Sequence, residues 1–483
     1  MTTYVPPTNI VAGTAYSVGG ILDTVYVLEQ VNLISTEAVG LEMYSNNIAY
    51  VHGVIHGEEE GIRMGVEVGG GTVFVGDTGQ VSSSISNAIQ GTNGGDYSVT
   101  NHGEIMNSGS KPTIGFILSS EQQEFAGNHE IANYGLISNQ TASDRGGYAI
   151  GIVYAGHQTR IVNGETGIIS AVEAGSFAIQ ILGTENYLKE IDAPAPSEVD
   201  IFNSGQILGD LYSYVSAGST VDEVINQGIM KGGIIFADHD DYYDGDGGRL
   251  IGELLGGSGD DTLLGGEFED FFDADYGNDR LNGRGGNDAL SGGVDNDTIR
   301  GGDGDDDIDG GPGDDLIYGG RGDDYMNGAA GNDTIRAGAG DDVVEGRNDD
   351  DQIFGQAGND SLYGGSGQDT LRGGTGNDLV EGGNHDDTLY GNEGADTLSG
   401  GNGDDTFVFV PFDGIDTVTD YTDGDDLLDV TAFAFTSFAS DIQPFMIQSG
   451  PDVVIDLSFG AVTNSVTLEN TLLANIDASD FLV

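Results

Sequence analysis

Residues 256–264 read GGSGDDTLL and residues 400–408 read GGNGDDTFV, and between them the chain repeats every nine residues without an insertion. Asp holds the sixth place in all 17 copies: Asp261, Asp270, Asp279, Asp288, Asp297, Asp306, Asp315, Asp324, Asp333, Asp342, Asp351, Asp360, Asp369, Asp378, Asp387, Asp396 and Asp405. The eighth place is apolar in every copy, from Leu263 to Phe407. A unit this short cannot bury its apolar residue alone. Stacked neighbours can, so the period itself dictates a repeat architecture.

Each place has a chemical reason. Glycines at places one, two and four admit positive φ, so six residues can form a tight turn with carbonyls facing inward. The sixth-place Asp adds a hard carboxylate oxygen, the ligand calcium prefers. The last three residues make a short strand whose middle side chain enters the core. Two repeats then form one 18-residue coil. The pattern G-G-x-G-x-D-x-U-x resembles the RTX (hemolysin-type) calcium-binding family. That resemblance implies a parallel β-roll, with Ca2+ ions between stacked turns sharing Asp carboxylates and backbone carbonyls of repeats n and n+2. Seventeen turns would then hold at most 15 ions. Fewer are expected, because Phe268, Asp295, Asp349 and His385 replace the fourth-place Gly, and Ala274 and Ala337 replace the first.

Charge points the same way. Residues 256–408 carry 37 Asp or Glu against 7 Arg and no Lys, a net of −30. Without cations the stacked carboxylates repel, so metal binding is expected to be coupled to folding. Metal-free, the same tract reads as a disordered acidic segment. The whole chain of 483 residues has a net charge of −67, with −24 in residues 1–255 and −13 in residues 409–483. Such acidity disfavours nucleic acid and anionic membranes as partners. Cysteine is absent, which excludes disulfides and thiolate metal sites. No apolar run reaches the ~18 residues a spanning helix needs. The opening MTTYVPPTNIVAG lacks the basic and apolar regions of a secretory signal peptide.

The C-terminal segment offers an export route. GIDTVTDYTDGDDLLDVTAF, from Gly414 to Phe433, resembles the segment that follows the repeats in serralysin-type secreted proteases. The ending Asp480-Phe481-Leu482-Val483 resembles an uncleaved type I secretion signal. The resemblance implies an extracellular or cell-surface protein of a Gram-negative bacterium, with the type I machinery as a partner during export.

Residues 1–250 repeat more loosely. VTNHGEI, IANYGLI, IVNGETGII, IFNSGQI and VINQGIM place Asn at 101, 133, 163, 203 and 226, with apolar stretches near Ile114, Tyr148 and Phe177 between them. Segments from Ile48 and Thr72 fit less well. Alternating β-branched residues and Asn-x-Gly turns indicate short strands. The pattern resembles the degenerate β-helix rungs of bacterial surface proteins over roughly residues 48–235. The Asn side chains are expected to stack as a ladder, with glycines in the left-handed conformation beside them. A β-sandwich with long hairpins is the competing fold. Residues 237–248 read as the junction with the repeats.

Signs of catalysis are weak. His129-Glu130 begins an HExxH-like string but lacks the second His a zinc protease needs. Gly256-Gly257-Ser258-Gly259-Asp260 departs from a nucleophile elbow at its fifth residue. His239, Asp240, Asp241, Tyr242 and Tyr243 have the types a polysaccharide lyase or epimerase uses, but fit a solvated linker better. His52, His56 and Glu58–Glu60 read as exposed turn residues. Arg321-Gly322-Asp323 arises from the repeat consensus and carries no separate meaning.

The sequence therefore predicts an all-β chain with no enzymatic activity. A β-solenoid over 1–250 (assembly or adhesion) precedes a calcium-bound parallel β-roll over 256–408, and residues 409–483 form a small β cap with the secretion signal. Calcium-driven self-association into a surface layer, filament or biofilm matrix is the leading role. An adhesin binding a cell-surface polysaccharide or cell partner, and a β-helical lyase or epimerase, are the alternatives.

Overall fold

A computed structural model describes residues 220–458 and 463–483 without a gap, and before them the strands and adjoining turns between residues 3 and 217. The chain divides into two compact units, Met1–Glu267 and Phe268–Val483, and β-strand predominates among the described residues of each.

In the first unit the rungs up to Leu182 supply three strands each that pair with their counterparts in the next rung. One column includes Asn47–Val51, Gly71–Val75, Tyr97–Asn101, His129–Asn133, Gln158–Asn163, Ser197–Asn203 and Thr220–Asn226. A second includes Val54–Gly57, Gln80–Ser83, Glu104–Asn107, Leu136–Asn139 and Ile168–Ala171. A third includes Glu60–Met64, Ile89–Thr92, Ile114–Ile117, Tyr148–Val153 and Phe177–Leu182. In the two rungs after Leu182 one strand, Gln206–Ala217 and then Ile229–Ile235, runs through both the second and third columns. Every one of these pairings is parallel. That makes the unit a β-solenoid and sets aside the sandwich, whose hairpins would pair antiparallel. Val73, Val99, Ile131, Ile161, Ile201 and Val224 share one register and are fully buried. Each such side chain contributes roughly 1.5–3 kcal/mol.

The asparagines form the expected ladder. Nδ2 of Asn101, Asn133, Asn163 and Asn203 donates to Oδ1 of the next Asn at 2.8, 2.9, 2.8 and 2.8 Å. The glycines beside them, however, are not left-handed. Gly103, Gly135, Gly205 and Gly228 have no positive φ, and a Cβ on each would strike a glycine carbonyl oxygen of the preceding rung. Glycine is needed there for close approach. Val51 and Val75 occupy the register of Asn101, so the earlier rungs lack the Asn signature while keeping the fold. Replacing Asn163 by Val removes two buried side-chain hydrogen bonds and is expected to cost about 1–3 kcal/mol. Denaturant unfolding of the variant measures this, and unchanged stability would refute the ladder's role.

Several sequence readings need correction. The stretch after Ala237 is a further coil, not a solvated linker: Tyr242–Asp244 pairs with Glu223–Ile225 and Thr262–Leu264, and Tyr243 is fully buried. Glu60 is a buried strand residue held by Arg63 Nε at 2.6 Å. His56 is half-buried on a strand, 3.0 Å from Ser82 Oγ, whereas His52 is exposed. Glu58 and Glu59 lie outside the described residues.

The second unit is a two-sheet roll. Alternate repeats feed opposite sheets, so strands pair 18 residues apart. Thr298, Leu316, Thr334, Gln352, Thr370, Thr388 and Thr406 share one register. Ala289, Asp307, Tyr325, Val343, Ser361, Leu379 and Thr397 share the other. Eighth-place side chains from Leu281 to Phe407 fill the space between the sheets. Ile415–Val418 and Leu427–Asp429 extend the two sheets. Met446–Ser449, Asp452–Asp456 and Ser465–Leu468 then add antiparallel pairings, and Phe481–Leu482 closes against Leu428–Asp429.

Candidate metal centre

The turns between these strands set the site. The second place has positive φ in glycines such as Gly302 (126°) and also in Arg284, Ala329, Arg347, Gln356 and Asn392. At the fourth place, Asp295, Asp349 and His385 keep positive φ (86°, 71° and 80°) despite replacing glycine. The turn geometry thus survives those substitutions, at a cost of roughly 1–2 kcal/mol per residue.

Within each turn the sixth-place carboxylate folds back onto the preceding coil. Oδ1 of Asp306 accepts from the backbone N–H of Asp288 at 2.9 Å, and Oδ1 of Asp324 from Asp306 at 2.9 Å. The other edge repeats this from Asp279–Asp297 at 2.7 Å to Asp387–Asp405 at 2.8 Å. All the sixth-place aspartates are at most 4 % exposed. From Asp288 to Asp396 the second oxygen of every one is buried without a hydrogen-bond partner. A buried carboxylate left this way costs several kcal/mol unless a cation or a proton meets it.

The first-place glycines explain where those oxygens point. A Cβ built on Gly283, Gly292 or Gly301 would overlap Oδ2 of Asp288, Asp297 or Asp306. The same Cβ would lie 2.8, 2.7 and 2.7 Å from the carbonyl oxygens of Gly301, Gly310 and Gly319, one coil further on. Glycine is required here for space and not for positive φ, which corrects the sequence reading of this place. A carboxylate oxygen and a carbonyl oxygen therefore line one small space, the hard-oxygen set that Ca2+ takes at 2.3–2.6 Å. Among the described residues, no three acidic or histidine side chains converge, so any ion here must draw on the carbonyls as well. The donor set fits calcium.

At Ala274 and Ala337, both fully buried, a methyl stands in that space. Replacing Gly364, whose Cβ would strike Asp369 Oδ2, by Ala is expected to remove one bound ion. At calcium tenfold above Kd the loss is about 1.4 kcal/mol. Ala337→Gly is expected to do the opposite. Calcium counts and melting temperatures of the two variants check both.

Burial pushes the carboxyls up. Asp297, Asp351 and Asp387 reach about 8, Asp288, Asp324, Asp333 and Asp360 about 7, and Asp306, Asp315 and Asp342 about 6. In each the donated backbone N–H pulls partly back, and the charge of nearby aspartates raises the value further.

The ladders outrun the repeats. Asp396 and Asp405 donate their N–H groups to Asp416 and Asp426 at 3.1 and 3.0 Å, across 20 and 21 residues instead of 18. In the first unit, Asp222 donates to Asp241 and Asp241 to Asp261, both at 2.7 Å, across 19 and 20 residues. The uneven steps hid these residues. A second, outer ladder runs through the fifth places, where Asp305, Asp323 and Asp341 each accept from the following coil at 3.0, 2.8 and 2.7 Å. Asp or Asn at that place in 14 of 17 copies was a visible signal for it.

The two histidines considered for catalysis lie apart, one on a strand and one in a turn. His129 lies on Tyr97 with ring centres 5.5 Å apart. His239 sits in a turn with φ 91°, its Nδ1 2.7 Å from Asp238 O. No helix among the described residues is long and apolar enough to cross a membrane.

A parallel roll with aspartates buried along both edges is a β-roll by class. Residues 255–409, in segments from 255–290 to 381–409, match the RTX calcium-binding nonapeptide repeat. Repeats of that family bind calcium. No curated protein matches the sequence. Among solved structures, the extracellular lipase LipA from Serratia marcescens matches at 21% identity with a TM-score of 0.20. That match covers 39% of this chain and 38% of the lipase, so the chain spans well under half of the lipase's length.

Proposed function

We propose that the chain is an extracellular calcium-binding structural protein of a Gram-negative bacterium, exported by type I machinery and assembled by calcium into a surface layer, filament or biofilm matrix. The sixth-place aspartates hold the ions together with carbonyls of the neighbouring coil. Bound calcium supplies the positive charge that the stacked carboxylates lack. The observation that carries this reading is the unbroken run of buried, partnerless Oδ2 atoms from Asp288 to Asp396.

In this reading residues 1–250 are the assembly domain, 256–408 the calcium roll, and 409–483 the cap and export signal. Low calcium inside the cell keeps the roll unfolded for passage. Calcium outside, where such sites commonly bind at about 10⁻⁴–10⁻³ M, folds it. Self-association is supported by the coil stacking within each unit, since solenoids joined by a non-closing contact form open arrays. The test is calcium addition to the chelator-treated chain, followed by light scattering and electron microscopy. Ordered sheets or fibres are expected. A monodisperse monomer at every calcium concentration would defeat the assembly role and turn the search to glycan ligands.

A further inference from the structure

In the second unit the ninth place of each repeat lies on the outer side of its strand, next to the buried eighth. On one sheet these places read Arg300, Tyr318, Arg336, Phe354, Arg372 and Tyr390, each one coil from the last. The guanidinium groups and rings interleave. Arg300 Cζ is 4.9 Å from the Tyr318 ring centre, Arg336 5.6 Å from Tyr318 and 5.2 Å from Phe354, and Arg372 3.8 Å from Tyr390. The seventh places of this sheet add Arg280 and no acid. A repeat region of net charge −30 therefore keeps the seventh and ninth places of this sheet free of acids.

The other sheet is its complement. Its ninth places carry Asp273, Asp309, Glu345 and Glu381, its seventh places add Asp307, and neither place holds a base. Arg347, from a neighbouring turn, pairs with Glu345. The acids recur every 36 residues, and so do Arg300, Arg336 and Arg372. At about 4.8 Å per coil, both faces repeat their charge every ~10 Å.

Stacking on the rings explains the aromatic residues, at about 0.5–1 kcal/mol per exposed pair. It does not explain why acids are missing from the seventh and ninth places of this sheet alone. Nor do Arg300, Arg336 and Arg372 form an ion pair among the described residues, although the chain is rich in acids.

We propose that the two faces are the two halves of one contact between copies of this chain. The basic face of one roll lies on the acidic face of the next, in a register set by the shared two-coil step. The contact is heterologous and leaves a free face at each end, so it propagates as an open stack. It gives the self-assembly proposed above its lateral contact, and rests on that reading.

The test uses the full chain with calcium. The triple variant Arg300→Glu, Arg336→Glu, Arg372→Glu places like charges across the contact. It is expected to raise the concentration for half-assembly by about a hundredfold, with the calcium-induced circular dichroism unchanged. Adding Asp309→Arg, Glu345→Arg and Glu381→Arg to the same chain swaps both faces and is expected to restore assembly. If the triple variant fails to fold, high salt on the wild type is the second measurement, and assembly must weaken as salt screens the contact. Wild-type assembly that neither charge reversal nor salt alters would overturn this contact while leaving self-assembly standing. Assembly unaltered by the triple variant, together with lost binding to dextran sulfate, would instead assign the basic face to an anionic polysaccharide. A wild type that never assembles would defeat both readings.

Discussion

Chelation of calcium at pH 8 is expected to abolish the β-roll, leaving residues 268–408 without the circular dichroism of stacked strands. The core there is thin: one eighth-place side chain per repeat, such as Ile299, Ile317 or Leu371, is what each turn buries. Against it stand two columns of carboxylates buried along the edges. With calcium tenfold above Kd each site adds about 1.4 kcal/mol. A dozen sites would supply on the order of 15 kcal/mol, comparable to the entire stability of a typical domain. Removing that term leaves carboxylate repulsion unopposed. A chelated chain that retained the full strand signal and melted at its calcium-bound temperature would refute the coupling.

Acid is expected to act in opposite directions with and without calcium. In the metal-free roll burial pushes Asp306 up to about 6, Asp360 to about 7 and Asp351 to about 8, against about 3.8 in an unfolded chain. The folded state then holds protons more tightly than the unfolded one. This stabilisation is complete below the unfolded value and is lost as pH rises through about 6 to 8. In chelator the roll should therefore be more stable at pH 5 than at pH 8. With calcium the order reverses, because the ion needs the ionised carboxylate and protons compete for it. Calcium affinity should fall as pH drops through the same window, with protons taken up as ions leave. Melting curves at both pH values, each with calcium and with chelator, separate the two effects. Equal metal-free stability at pH 5 and 8 would contradict the burial of these groups.

The roll was legible because its nine-residue period runs without an insertion, so the apolar eighth place and the acidic sixth place fall on fixed sides of every coil. The first-place glycine was visible but its reason was not. Only the approach of Asp288 to Gly283, or Asp297 to Gly292, shows that space and not φ is at stake. The ladder ends escaped notice because Asp241, Asp416 and Asp426 sit at steps of 20 and 21 residues, outside the period. The earliest rungs of the first unit were obscured for a different reason: Val51 and Val75 fill the Asn register with apolar side chains, which keeps the stacking and erases the motif. The contrast between the outer faces depends on sorting repeats by parity. It becomes readable only once alternate copies are known to enter opposite sheets.

The most direct measurement counts bound calcium by equilibrium dialysis while circular dichroism follows strand formation in the chelator-treated chain. Multiple ions taken up per chain, in the same concentration range in which the strands form, are the expected result. Strands that form fully before any ion is bound, or a chain that binds no calcium at all, would contradict the assignment of the aspartate ladders to metal.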